Sequence, residues 1–485
     1  MATTRWTGCW STAFRPVVPV HRLIPYKDPL TAFAGFACDP VAAFLDSAAD
    51  VGGRGRYSYI AADPFAVITA GETVEVDGKP QNDDPFTVLA RELSGRSFAA
   101  DTTLPPFQTG AVGFLGYELS RHLEQLPPLN EIGVGVPDML VGLYDTVVAF
   151  DVAERRAWVI ASDSAGPSHP DRPRVEVRIE ALIARMNAAP SSLSEIDWSV
   201  SGRWQPEVPR PAFEDMVRRT IEYIYAGDIF QANITQRIIG DKPPGLDPFT
   251  LYRRLRTLSP APYAAHLNGG GCSVLSASPE RFLRLYADGR VGTRPIKGTR
   301  PRGKTREQDV RLADELLASD KDRAENLMIV DLLRNDLSRV CRIGSVRVDE
   351  MFELESFANV HHLVSEVRGW MAPHMGPIDL LRATFPGGSI TGTPKIRAME
   401  IINELEPARR GPYCGTIGWI GFDGAMESSI IIRTLVLTGD RVVAQAGGGI
   451  VADSDPAAEY DETMDKAGAL LASLQPCFNG SWVSP

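Results

Sequence analysis

The spacing of apolar positions divides this chain into short runs of period two and longer runs of helical period. Tyr57 to Ala61, Ala66 to Ala70, Leu140 to Phe150 and Ala157 to Ile160 read as strands, while Asp39 to Ala49 is helix-like. Gly52-Gly53 and Asp77-Gly78 punctuate them as turns. Arg174 to Asn187 reads as an amphipathic helix, and the residues from Ala188 to Pro211, rich in Pro, Ser and acids, as a linker. Beyond it, Phe213 to Ala226 has a helical pattern that ends at Gly227, a favoured residue just past a helix. Arg281 to Val291 alternates around Asp288-Gly289 and predicts a β-hairpin. Asp320 to Arg339 repeats Leu327, Val330, Leu333 and Leu337 at helical spacing, and Ser429 to Leu437 reads as a buried strand. Asp453 to Leu474 predicts a helix capped by Ser454 or Asp455, with Pro456 at its first position. The pattern predicts an α+β chain: an N-terminal domain at 1–187, a linker at 188–211, a second domain at 212–475 and a loose tail at 476–485.

Composition adds constraints rather than detail. At 485 residues, 44% hydrophobic and 23% charged, the chain resembles an ordinary globular protein with sizeable cores. A formal charge of −11 argues against general nucleic-acid binding and against attraction to an anionic membrane. An anionic substrate therefore needs a local cationic site, with or without a metal ion. The six cysteines show neither a CxxC pair nor zinc spacing, which fits a reducing compartment. No secretion signal is evident in Met1 to Val20, and no stretch approaches the ~20 apolar residues of a membrane span, so the expected location is cytoplasmic.

Candidate chemistry concentrates after residue 212. Lys297 lies in Thr293 to Gly303, followed by Gly298 and Thr299. As a nucleophile it must lose a proton against a reference pKa of roughly 10.4, so burial or cationic neighbours such as Arg294, Arg300 and Arg302 must favour the neutral amine. A solvated basic turn is the plainer alternative. Asp322 and Glu325 share the first turn of one predicted helix; Glu459, Glu462 and Lys466 share one face of another. The carboxylates could converge on a hard cation such as Mg²⁺, or could simply complement helix dipoles and form a surface ion pair. Arg433, inside the apolar run 429–437, must meet an internal carboxylate or that of a ligand. Gly447, Gly448 and Gly449 either turn the chain or offer N–H groups to an anion. Pro386 to Lys395 is glycine-rich and enters a helix with Thr393 as cap, but lacks the Gly-Lys-Ser/Thr ending of a phosphate loop. His361 and His362, being adjacent, point to different sides of any regular element.

Several motifs in one order carry a resemblance that covers nearly the whole chain: Gly227-Asp228-Ile229-Phe230-Gln231, Ser278-Pro279-Glu280-Arg281, the Lys297 stretch, Val330 to Asp336, Thr391 to Ile402 and Gly449 to Lys466. The chain resembles the chorismate-utilising enzymes, the large subunits of anthranilate synthase and aminodeoxychorismate synthase with their isochorismate and salicylate synthase relatives. The resemblance implies an elaborated two-sheet α/β sandwich of the anthranilate synthase component I type. It implies Mg²⁺ held by Glu325 and Glu462, with Asp322 and Glu459 beside them. Gly298, Thr299, Tyr413, Arg433, Gly447, Gly448, Gly449 and Lys466 match chorismate contacts. The Pro-Ile-Lys-Gly-Thr around Lys297 is similar to the aminodeoxychorismate synthase branch, where anthranilate synthases typically carry a small residue. That branch implies covalent catalysis by Lys297 with Glu280 as general acid, and a lesser role for His362. Ser47, Pro262 and Tyr263 match a tryptophan pocket, although Asp46 departs from the family's Glu; inhibition, a structural tryptophan and an empty pocket all stay open. The chain shows no glutaminase nucleophile motif, so the resemblance implies ammonia from solution or from a glutamine amidotransferase subunit, and a separate aminodeoxychorismate lyase downstream. Anthranilate synthase component I and a non-catalytic regulatory relative are the competing expectations.

Overall fold

The computed structural model describes residues 18–50, 53–128, 133, 135–166, 169–196, 202–357 and 360–475. The expected tail at 476–485, Gly52 and part of the 188–211 linker lie outside them. Among the described residues, two 12-stranded antiparallel sheets face each other. The first runs Val20–Ile24, Arg156–Ala161, Thr146–Asp151, Tyr57–Ala62, Ala42–Asp46, Tyr263–Gly269, Cys272–Ser278, Thr434–Thr438, Arg441–Ile450, Gln231–Asp241 and Gln205–Pro206, with Gly392–Thr393 paired to Gln231–Asp241. The second runs Ile296–Pro301, Val360–Trp370, Arg290–Arg294, Arg281–Leu285, Met426–Ile430, Thr416–Gly421, Gly110–Leu115, Met139–Tyr144, Ala66–Ala70, Val74–Val76 and Lys79–Gln81, with Arg347–Ser356 paired to Val360–Trp370. Each sheet draws strands from both sides of 188–211, so the two stretches expected to be separate domains share both sheets.

The cores follow from this layering. Tyr59, Phe107, Phe114, Trp158, Val274 and Trp419 fill the space between the sheets. Helices Val175–Ala188, Pro248–Leu258 and Pro456–Leu474 cover the outer face of the first sheet through residues such as Ile179, Leu255 and Leu470. Helices Pro85–Leu93, Asp320–Ser338 and Pro377–Thr384 cover the second through Leu89, Val330 and Leu380. Burying both sheet faces under helices and each other removes most apolar strand surface from water, worth about 25 cal/mol per Å².

Four local readings change. Asp39 to Ala49, expected as helix, holds the strand Ala42–Asp46, whose alanines and Phe44 are buried on both faces. A strand buried on both faces loses the period-two signal. Leu140 to Phe150 is two strands, Met139–Tyr144 in the second sheet and Thr146–Asp151 in the first, with the chain crossing at Asp145. Ser429 to Leu437 is likewise a crossing, from Met426–Ile430 to Thr434–Thr438, and Arg433 sits in it with φ +52°. A chain that passes from sheet to sheet stays in the core throughout, so its apolar run is unbroken where its hydrogen-bonded ladder is not. The helix after Thr393 starts at Lys395 with Pro394 as its capping position. The predicted helices Asp320–Ser338 and Pro456–Leu474 are present, capped by Ser319 and Asp455 side chains that accept from Asp322 N and Ala458 N.

Candidate active site

The hairpin Arg281–Leu285/Arg290–Arg294 leads through Pro295 into the strand Ile296–Pro301, which pairs with Val360–Trp370. Its register shifts between Ile296 and Thr299, so Lys297 and Gly298 leave the regular ladder. Gly298 has φ +89°, and a Cβ there would lie 2.9 Å from Leu316 Cδ1 and 3.0 Å from Asp322. Glycine is thus required by the bulge and by the two helices packed on it, Arg306–Ala318 and Asp320–Ser338. Lys297 as a whole is half-buried, but its amine reaches deep, and burial lowers its pKa against the pull of Glu325. Lys466 pushes in the same direction as burial. The arginines expected to do so are neutralised elsewhere: Arg294 by Glu350, Glu355 and Glu366, Arg300 by Asp322, and Arg302 by Asp309.

Glu280 stands beside this lysine, 5% exposed. Its backbone carbonyl accepts from Ile430 N at 3.1 Å, tying it to the neighbouring strand. Burial raises its carboxyl to about 7, opposed by the polar Ser389 side chain, the charge of Lys297 and the Ile296 amide. An acid with that pKa near neutrality can both give and take a proton.

The glycines Gly447 to Gly449 lie within the strand Arg441–Ile450, opposite Thr235, Ile234 and Asn233, rather than in a turn. Their bare faces make room for side chains. A Cβ on Gly448 would meet Glu459 Oε2 at 3.0 Å and Lys466 Nζ at 3.6 Å; one on Gly449 would meet Gln231 Nε2 at 2.0 Å and Lys297 Nζ at 3.4 Å. Lys466 Nζ donates to the Gly447 carbonyl at 3.0 Å and pairs with Glu462 at 2.7 Å. Ser454 Oγ donates to Glu459 Oε1 at 2.7 Å. Arg433 donates to the Lys466 carbonyl and forms no ion pair among the described residues. Burial lowers its pKa, with Tyr413 and Glu462 pulling the other way. Tyr413 is buried nearby. His362 Nδ1 is 2.9 Å from Thr299 Oγ1, and burial with the Arg433 charge takes its pKa down to about 4, so it is neutral at pH 7. His361 faces away, between Ser356 and Asp309.

Residues 43–472 match the profile of the chorismate binding enzyme family. The chain belongs to that family. It is 42% identical over 473 residues to anthranilate synthase component 1 of Streptomyces coelicolor, covering 95% of this chain and 89% of the relative. Against aminodeoxychorismate synthase component 1 of Klebsiella aerogenes it is 39% identical over 453 residues, covering 91% and 96%. The crystal structure of anthranilate synthase component I from Streptococcus pneumoniae superposes with TM-score 0.78 at 33% identity, covering 87% of this chain and 92% of that one. The protein is therefore a chorismate-utilising enzyme of the two-sheet anthranilate synthase component I fold.

The fold brings the family's expected residues Lys297, Glu280, Glu325, Glu462, Arg433 and Lys466 to one place. Lys297 and Lys466 both feel Glu462, and Lys297 also feels Glu325 and Glu280. Burial holds Glu325 and Glu459 above their ordinary pKa. Burial also pushes Glu462 up, but Lys466 outweighs it and the carboxylate ends below its ordinary value. Among the described residues no three His, Cys, Asp or Glu side chains form a closed metal cage. An oxygen-only pair with partly uncompensated charge fits Mg²⁺, which keeps several waters and takes few protein oxygens. Two contributors, Ser389 and Gln231, received no role from sequence. Each sits in a quoted stretch, but only the folded chain places their side chains against Glu280 and Gly449.

Ser47, Pro262 and Tyr263 line a separate cavity of about 500 Å³, with Arg54, Arg281 and Arg294 among its walls. Asp46 is already engaged: Tyr252 Oη donates to it at 2.9 Å, and Arg256 forms an ion pair with it. No described helix is long and apolar enough to cross a membrane.

Proposed function

We propose that this chain is an aminodeoxychorismate synthase component I, which converts chorismate and ammonia to 4-amino-4-deoxychorismate. The observation that carries the reading is the placement of Lys297, an amine shifted towards neutrality beside a carboxyl that titrates near 7. Neutral Lys297 Nζ attacks C2 of chorismate; the ring double bonds shift and the C4 hydroxyl leaves as water with the proton of Glu280. Ammonia then attacks C4, the double bonds return, and the C2–N bond breaks to release Lys297 as the free amine. The new ammonium gives a proton back to the Glu280 carboxylate, so the enzyme ends as it began.

Arg433, Tyr413 and Lys466 orient the substrate, the arginine through a carboxylate that replaces its missing internal partner. Glu325 and Glu462 would hold Mg²⁺, with Asp322 and Glu459 beside them; bound there it supplies positive charge for the substrate's carboxylate. His362, neutral and hydrogen-bonded to Thr299, serves in positioning. The relatives named component 1 support a second subunit, a glutamine amidotransferase that supplies ammonia, with a separate lyase to release 4-aminobenzoate for folate synthesis.

Incubation with chorismate, Mg²⁺ and ammonium, followed by product analysis, tests the reading. The expected product is 4-amino-4-deoxychorismate, and its formation should stop when Mg²⁺ is chelated. The 42% identity to the Streptomyces anthranilate synthase component 1 favours one second reading, formation of anthranilate. Direct appearance of fluorescent anthranilate would decide for it. Mass spectrometry without ammonia adds a sharper test: a substrate-derived adduct on Lys297, absent from Lys297→Ala.

A further inference from the structure

Behind Glu280 lies a second buried charge to which the reaction above gives no part. Arg410 is 4% exposed and forms a bidentate pair with Glu406, Nε to Oε2 at 2.9 Å and Nη2 to Oε1 at 2.7 Å. Its remaining bonds go to backbone carbonyls: Nη1 to Ile390 O at 2.9 Å and Nη2 to Asn233 O at 2.5 Å. The Tyr117 ring lies 4.7 Å from the guanidinium carbon. The main chain of the same segment is clamped as well, because Arg410 N and Gly411 N donate to the two oxygens of buried Glu118 at 2.8 and 2.9 Å. Glu406 Oε1 also accepts from Thr235 N at 2.8 Å and Thr235 Oγ1 at 3.0 Å.

A fully buried ion pair is weak evidence for stability, since desolvation offsets its attraction and apolar groups of the same shape often serve as well. What arginine adds is a planar fork whose donors have fixed directions. The carbonyls on that fork belong to two walls of the catalytic site. Ile390 directly follows Ser389, whose side chain lies by the Glu280 carboxyl and holds its pKa down against burial. Asn233 pairs in register with Gly449, whose bare face accommodates Lys297 Nζ. The segment carrying the guanidinium runs on through Gly411 and Pro412 into Tyr413, a neighbour of Arg433. Three walls of the site are thus tied to one side chain that does not itself reach the substrate.

We propose that Arg410 is a positioning residue for this reaction: by fixing the Ile390 and Asn233 carbonyls it keeps Ser389 beside the Glu280 carboxyl and the glycine strand against Lys297. The inference rests on the reading of Glu280 as the proton donor. Ser389 opposes the upward push of burial on Glu280. Releasing Ser389 therefore raises the Glu280 pKa, and because the protonated acid is the working form, the alkaline limb of the kcat profile moves to higher pH. A side chain that only stabilised the fold would lower activity at every pH and leave that limb in place.

The test uses the full chain with chorismate, Mg²⁺ and a constant concentration of free ammonia across pH. Arg410→Gln and Ser389→Ala should each move the alkaline limb up by about 0.5 unit or more, and the double variant should move it no further than the larger single shift. Arg410→Lys keeps the charge opposite Glu406 but not the fork, and carries the test if Arg410→Gln does not fold; it should move the limb in the same direction. An unmoved limb in the folded Arg410 variant, with Ser389→Ala displacing it, overturns the proposal. Additive shifts in the double variant overturn it too, because they place the two residues on separate routes to Glu280. The underlying reading fails separately if Glu280→Gln retains the parent's alkaline limb.

Discussion

Two regions of this molecule concentrate buried charge, and they treat it in opposite ways. Around the 500 Å³ cavity, folding itself completes the pairs. Arg294 meets Glu350, Glu355 and Glu366 at 2.6, 2.6 and 2.7 Å, Arg284 meets Glu427 at 2.7 Å, and Arg368 meets Glu366 at 2.9 Å. Around Lys297 the pairs are incomplete. Arg433 forms no ion pair among the described residues, and burial lowers the Lys297 pKa while raising those of Glu325 and Glu459. Internally satisfied charges fix a geometry; partly compensated ones are groups whose partners arrive with the substrate.

The comparison breaks most sharply at Lys297. Lys297→Ala should abolish formation of 4-amino-4-deoxychorismate, assayed by product chromatography, while the protein stays folded. Glu280→Gln should cost about 10²–10⁴-fold in kcat, the usual span for a lost general acid. In the satisfied region the loss should appear in stability instead. Arg294→Gln leaves several carboxylates facing one another and should destabilise by about 3–5 kcal/mol in urea unfolding; an unchanged midpoint would show that the network is not held by this arginine. Arg433→Gln should behave in the opposite sense, with little change in the urea midpoint but a loss of about 1.5–3 kcal/mol in substrate binding, about 10–150-fold in kcat/KM.

The smallest effect concerns pH and stability. The folded protein holds Lys297 below its unfolded value of 10.5, so the unfolded chain binds this proton more readily and folding loses stability to it at low pH. Lys297→Met should therefore melt higher than the parent at pH 7. That advantage should be full below the lowered folded pKa and fade as pH rises towards 10.5. A constant difference across this range would mean that the amine is not desolvated in the folded state.

The sequence alone determined what is local. The spacing of Asp322 with Glu325 and of Glu459, Glu462 and Lys466 placed each set on one helix face, and the candidate caps Ser454 and Asp455 marked where the second of those helices begins. The ordered motifs determined the family, because each preserves a short stretch whose chemistry is carried by neighbours in the chain. Tertiary structure decided the rest. Arg294, Arg300 and Arg302 looked like the neighbours of Lys297, yet all three are neutralised by carboxylates and Lys466 takes that part. Two apolar runs that read as single strands proved to be crossings between sheets, and Gly447 to Gly449 proved to be strand rather than turn. Ser389 gained its role only by meeting Glu280 across more than a hundred residues of chain. Helix capping and side-chain periodicity act within a turn or two of backbone and can be read there. The pairing of charges and the sheet a strand joins depend on contacts between residues far apart in sequence, and only the folded chain brings those together.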